Sequence, residues 1–303
     1  MCIVLAPDAL THLFCHVHDF CQAFLPAFRA HQIQQAPTEA ETKTRNRARS
    51  LCESEIMTLL IAFHQSGFRT FKQFYTGFVC TYWKGAFPTL VSYNRFVEFI
   101  PWVLPVLYAY LRSLMGQCSG VSFADSTALA VCHNRRIKQH RVFAGIAQRG
   151  KTSVDWFFGF KLHLLINEHG ELLNLTLTPG NVDDRTPLPD LTRGLFGRIF
   201  ADKGYVSEEL ARQLANQGIA LVTKPRKNMK PKPLSVSDRV LLGKRGLIES
   251  VVDQLKNQSQ VEHTRHRAAT GFLWNLASAL IAYCHQPDKP NLQTISNAPI
   301  LRP

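Results

Sequence analysis

At Val121 the hydrophobic pattern changes its period, and that change constrains the fold more than any single motif. Upstream, apolar residues recur at helical spacing. Ser50 and Glu53 stand at capping-box spacing ahead of Ile56, Met57, Leu59, Leu60 and Phe63, and Gly67 closes the segment. A second helix is predicted after Thr70, where Phe71, Phe74, Tyr75, Phe78 and Val79 share one face. A third starts at Ser92 and carries Asn94 and Arg95 in its first turn. Three short helices, the last opening on polar side chains, are compatible with a helix-turn-helix, so residues 1–115 are expected to form a helical DNA-binding domain. Arg29 to Arg49 is polar and charged and reads as a connector.

Downstream, apolar runs of strand length end at Asp125, span Trp156 to Asn167 and Glu171 to Thr178, and recur at Arg198 to Ala201 and Ile219 to Thr223. Helices are expected over Ser207 to Gln217 and, as one long segment, over Asp238 to Gln258. The order β-β-β-α-β-α-β-α predicts an α/β fold, a mixed sheet with flanking helices, occupying residues 116–290 and followed by a tail over 291–303.

Charge is placed unevenly on this framework. His133 to Lys151 holds six basic residues and no acidic one, Thr223 to Arg267 holds eleven against four, and together they carry the whole formal charge of +13. Clustered cations gain free energy by displacing counterions from a phosphate backbone, so nucleic acid is the expected partner. Arg135, Arg136, Lys138 and Arg141 follow the strand that ends at Asp125; Lys224, Arg226 and Lys227 follow a later strand; Arg265 and Arg267 extend the same groove. Eight cysteines without a Cys-x-x-Cys pair argue against a zinc ribbon or a disulfide scaffold and fit reduced thiols in the cytoplasm. The charge-free stretch Ala268 to Pro287 has a strongly apolar part, Phe272 to Cys284, shorter than the roughly 20 residues a membrane span needs. A buried helix is expected there, and no membrane partner.

Two strand ends echo each other. Phe123-Ala124-Asp125 and Phe200-Ala201-Asp202 each set an aspartate directly after residues that belong inside a sheet. If the strands are neighbours, both carboxylates emerge at one edge, where a divalent cation would compensate their charge. Taken singly, such aspartates mostly cap turns. Glu249, among the apolar positions of the long helix, adds a third acid, with Arg245 four residues before it and Lys256 seven after. That spacing gives either a local ion pair or a metal ligand flanked by two phosphate-binding cations.

The strings Asp125-Ser126-Thr127, Trp156-Phe157-Phe158-Gly159-Phe160-Lys161-Leu162-His163, Thr178-Pro179-Gly180-Asn181-Val182-Asp183-Asp184-Arg185 and Ala201-Asp202-Lys203-Gly204-Tyr205 resemble those of DDE-type bacterial transposases, specifically the insertion-sequence 982 family. The resemblance runs from about Ser50 onward. It implies an RNase H-like fold in which Asp125, Asp202 and Glu249 are the catalytic acids, holding two Mg²⁺ or Mn²⁺ ions. It also implies cleavage at the ends of a mobile element followed by transfer to target DNA, by a homodimer acting at the bacterial nucleoid. Related transposases often carry a tyrosine three residues before the arginine, where this chain has Leu242. A nuclease without strand transfer, and a DNA-binding regulator with vestigial acids, are the competing classes. His12, Cys15, His16, His18 and Cys21 lie in an apolar helical stretch and lack a second ligand pair at zinc-finger spacing. Asp183 and Asp184 are expected to cap a helix, and His163 to be a hydrogen-bonded sheet residue.

Overall fold

The computed structural model describes residues 5–35, 50–152, 155–225, 233–262 and 266–293. The chain forms two compact units. One gathers Met1–Ser113, Gln258–Gln260 and Thr270–Ala282; the other gathers Leu114–Asn257, Val261–Ala269 and Tyr283–Pro303.

The first unit contains α1 (Pro7–Gln35), α2 (Glu53–Gln65) and α3 (Phe71–Gln73), which continues through a π-helical stretch, Phe74–Val79, into α4 (Cys80–Tyr82), and α5 (Tyr93–Ser113). Thr70 caps α3 by accepting from the Gln73 N–H, as its position predicts. The cap of α2 lies two residues later than predicted: the backbone N–H of Cys52 donates to the Glu55 carboxylate at 2.8 Å. Helix α1 reaches seven residues into the predicted connector, and α5 is a 21-residue helix carrying Pro101 and Pro105, not a short one. Phe63, Phe71, Phe74 and Trp274 pack as an aromatic cluster with ring centroids 5.3–6.4 Å apart. On α1, His16 meets the Tyr110 hydroxyl and His18 the Ser54 hydroxyl.

The second unit is built on a six-stranded sheet of β1 (Val121–Cys132), β2 (Gln148–Lys151), β3 (Trp156–Asn167), β4 (Leu172–Pro179), β5 (Gly197–Ala201) and β6 (Ile219–Thr223). Strand order is β2-β3-β1-β5-β6, with β4 also on β3. β1 is antiparallel to β3 and parallel to β5, and β5 is parallel to β6. This is the mixed sheet with flanking helices that the sequence order and the family resemblance imply. β2 and β4 share the outer edge of β3 end to end, Gln148 opposite Gly159 and Pro179 opposite Phe160. β2 is too short and polar to announce itself in the sequence.

On one face, Ala124, Leu165, Ile199 and Ala201 pack with α6 (Leu188–Leu191) and α7 (Glu208–Ala215), burying Leu188, Leu191, Leu210 and Leu214. The predicted long helix is broken into α8 (Val236–Gly243) and α9 (Gly246–Asn257), with glycines at 243 and 246 bracketing Lys244 and Arg245. The charge-free segment forms α10 (Ala269–Cys284), in which Leu276, Ala277, Leu280 and Ile281 are buried. Among the described residues no helix is long and apolar enough to cross a membrane.

Candidate active site

Pairing between β1 and β5 stops at Ala124 and Ala201. The next residue on each strand is an aspartate. Alternation along a strand turns Asp125 away from the face that buries Ala124. The sequence places both acids at strand ends, and only Asp202 is at one: β1 continues past Asp125 to Cys132 because β3 remains as its partner on the other side. The chain after Ala201 turns into a short 3-10 helix, Lys203–Tyr205, and leaves that edge of β1 without a strand partner.

Glu249 arrives from α9, which packs along β1. Leu247, Ile248, Val251 and Leu255 are fully buried, each worth about 1.5–3 kcal/mol against exposure. An exposed ion pair contributes less than about 1 kcal/mol, so the apolar stripe and not the charge positions the helix. Glu249 is thereby free to face outward from the stripe, and its side chain is 59% exposed.

The guanidinium of Arg245, in the break before α9, meets all three acids. Its Nη2 donates to Glu249 Oε1 at 2.7 Å and lies 3.9 Å from Asp202 Oδ1, while Nη1 lies 3.6 Å from Asp125 Oδ2. Three acids from three elements therefore surround one cation. Burial pushes the Asp125 carboxyl up to about 6, with Glu249 and Asp202 acting the same way. The Ser126 N–H, donating to Oδ1 at 2.8 Å, and Arg245 oppose it. Carboxylate oxygens are hard donors suited to Mg²⁺ or Mn²⁺, so the donor set fits such ions. As the side chains stand, no group of three or more His, Cys, Asp or Glu among the described residues is gathered closely enough to hold a metal, and Arg245 is what the acids surround.

Lys256 is not beside Glu249. It pairs with Glu262 Oε2 at 3.3 Å, and Glu262 Oε1 accepts from the Ala130 N–H of β1. Glu262 thus ties the chain after α9 to β1, a role nothing in its local sequence signals. Leu242, at the position where the resemblance leads one to expect a tyrosine, is buried. The buried Tyr205, three residues after Asp202, instead hydrogen-bonds the Ser126 side chain, and burial drives its phenol well above 10. Asp183 and Asp184 do not cap a helix: α6 begins after Pro187. Asp183 is held bidentately by Arg185, which keeps its carboxyl down at about 2, and Asp184 pairs with Lys161 at 2.8 Å. His163 is buried and meets Thr178 Oγ1 through Nε2 at 2.8 Å, as expected for a sheet residue; burial lowers it to about 4.

Arg135, Arg136 and Lys138 lie exposed on the 3-10 helix Asn134–Gln139, and Arg141 follows them. With Arg149 and Lys151 of β2 they make six exposed cations, and among the described residues none forms an ion pair. Lys224 and Arg267 are exposed; Arg226, Lys227 and Arg265 lie outside the described residues.

Residues 115–269 match the family model described as "Transposase DDE domain". Among solved structures, the chain is similar to one in the cryo-EM structure of the piggyBac transposase synaptic complex with hairpin DNA, with 12% identity and a TM-score of 0.49 over 90% of this chain and 71% of that one. No curated protein matches.

Proposed function

Because this chain belongs to the Transposase DDE domain family, on a match spanning residues 115–269, we propose that it is an insertion-sequence transposase of the 982 type, cutting DNA at element ends and joining them to target DNA. The observation that carries the proposal is the meeting of Asp125, Asp202 and Glu249 around Arg245, on a sheet whose neighbouring basic turn leaves its cations uncompensated.

Asp125, Asp202 and Glu249 would hold two Mg²⁺ or Mn²⁺ ions through their carboxylate oxygens. Ions bound there supply activation of an attacking oxygen and stabilisation of a leaving one at phosphorus. In the first transfer the oxygen of water bonds to phosphorus, the P–O3′ bond breaks and a 3′-hydroxyl is released. In the second, that hydroxyl bonds to a target phosphorus and displaces the target's 3′-oxygen. The fixed backbone of β1 orients Asp125 through the Ser126 N–H, and the Tyr205 contact buttresses Ser126 from the opposite face. Arg135, Arg136, Lys138, Arg141, Lys224, Arg226, Lys227, Arg265 and Arg267 bind the DNA backbone, joined by Arg245 at the acids and by Lys256, which sits away from them beside Glu262. Residues 1–115 add a helical DNA-binding domain and 116–290 the catalytic one, with 258–260 and 270–282 of the latter stretch belonging to the first compact unit. Two element ends must be brought together, which calls for a homodimer, acting in bacteria at the nucleoid.

The test is a reaction of the purified protein with a labelled element end, a target plasmid and Mg²⁺. Joined products are expected; cleavage without joining would reduce the protein to a nuclease, and binding without cleavage to a regulator.

A further inference from the structure

The short ribbon of β2 and β3 carries a feature that phosphate transfer does not use. Trp156 opens β3 and is 55% exposed, whereas Phe157 and Phe158 after it are buried. Its cross-strand partner is Lys151, whose Nζ stands 5.7 Å from the indole centroid. Arg149, two residues before Lys151, shares that face.

The ribbon is held rigidly from its other face. A Cβ on Gly150 would meet the carbonyl oxygen of Gly180 at 2.1 Å, and the Phe157 ring at 2.6 Å, so only glycine lets β2 lie on the turn that ends β4. The Gly180 N–H donates to the Gly159 carbonyl at 3.0 Å. This accounts for the Pro179-Gly180-Asn181 string in packing terms.

The start of β3 also adjoins the basic turn. The Asn134 side-chain amide donates to the Trp156 carbonyl at 2.6 Å, and the His140 ring packs edge-on against Phe158 at 6.2 Å. The basic turn is thus held against the strand that carries the exposed indole.

We propose that Trp156 is a stacking platform for an unpaired base of the bound DNA, with Lys151 and Arg149 holding the phosphates beside it. An indole gains by stacking only on a base whose flat face is open, which a paired and stacked duplex withholds and a frayed or processed end supplies. The cations alone explain affinity for any polyanion; the aromatic plane fixed among them selects strands with splayed bases. Charge complementarity commits the site to nucleic acid. The proposal rests on the reading of the partner as DNA, and on nothing about metal or strand transfer.

The experiment measures anisotropy of labelled duplexes of equal length, one blunt and one with a four-nucleotide overhang carrying 2-aminopurine, without divalent metal. Wild-type protein is expected to bind the overhang duplex about tenfold more tightly and to quench the 2-aminopurine. Trp156→Ala is expected to erase both the preference and the quenching, Trp156→Phe to keep most of each, and Lys151→Glu to weaken both duplexes alike while lowering the salt dependence. Equal wild-type binding to the two duplexes, or an undiminished preference in Trp156→Ala, would overturn the stacking site while leaving the DNA reading intact. Binding to neither would overturn the DNA reading, and this site with it.

Discussion

The acid centre and the basic turn of the second unit solve the same electrostatic problem in opposite ways. Asp125, Asp202 and Glu249 converge, and the chain supplies the compensating charge itself through Arg245. Arg135, Arg136, Lys138, Arg141, Arg149 and Lys151 also crowd together, yet no described carboxylate answers them. Several arginines elsewhere do pair with nearby acids: Arg95 with Glu98, Arg193 with Asp190, Arg198 with Asp238, Arg212 with Glu209. Such surface pairs add little stability, but they show local neutralisation wherever an acid stands within reach, and in the basic turn no described one does. A cluster that departs from it repels itself until something external neutralises it. The contrast separates a site prepared internally from one completed by a partner, and each side of it can be broken.

The largest expected effect is on the acid side. Asp125→Asn, Asp202→Asn and Glu249→Gln keep shape and remove charge, and each is expected to slow strand cleavage by on the order of a thousandfold or more, since groups acting as a unit fail together. DNA affinity should hold, because removing an acid relieves repulsion toward phosphate. Cleavage rates and binding isotherms on the same preparations check both statements, and wild-type cleavage in any one variant would remove that residue from the site.

Much of this was legible beforehand because it depends on local patterning. The period change at Val121, the five strands with continuous apolar runs, and the aspartates after Ala124 and Ala201 are all properties of a few adjacent residues. What escaped the sequence depends on distant partners. β2 is four residues, Gln148–Lys151, with no apolar alternation, and it exists because Gly150 can approach Gly180. Asp183 and Asp184 look like caps until Arg185 and Lys161 claim them. Lys256 lies on the right period for Glu249, but Glu262 takes it. The apolar stripe from Leu241 to Leu255 reads as one helix because periodicity is blind to a break bracketed by two glycines. That break matters most, since it is what turns Arg245 toward three acids instead of one.

On the basic side, Arg135→Glu together with Arg136→Glu is expected to weaken DNA binding by tens of fold at low salt. Each lost phosphate contact takes about 0.9 from the slope of log affinity against log salt, so the pair should flatten it by about 2. Turnover of DNA already bound should change little, because neither residue touches the acids. An unchanged slope would mean that the turn is merely a solvated surface, and the contrast with the paired arginines would lose its meaning.

The smallest effect is the most informative about how the two sides are linked. The acids hold a guanidinium where a divalent ion would need their oxygens, so ion binding must displace Arg245 and metal affinity is reduced by the strength of that contact. Two unit charges 4 Å apart interact by about 4 kcal/mol at an effective dielectric of 20, and exposure of Glu249 and Asp202 screens this to about a third. Arg245→Gln is therefore expected to bind Mn²⁺ about tenfold more tightly, read by the loss of the free-ion paramagnetic signal. The metal-free variant should melt at a lower temperature than wild type, its acids having lost their cation, and Mn²⁺ should restore more stability to it than to wild type. If Arg245→Gln binds Mn²⁺ no better than wild type, the guanidinium is not the acids' resident counter-ion, and the acid centre would then need a partner as much as the basic turn does.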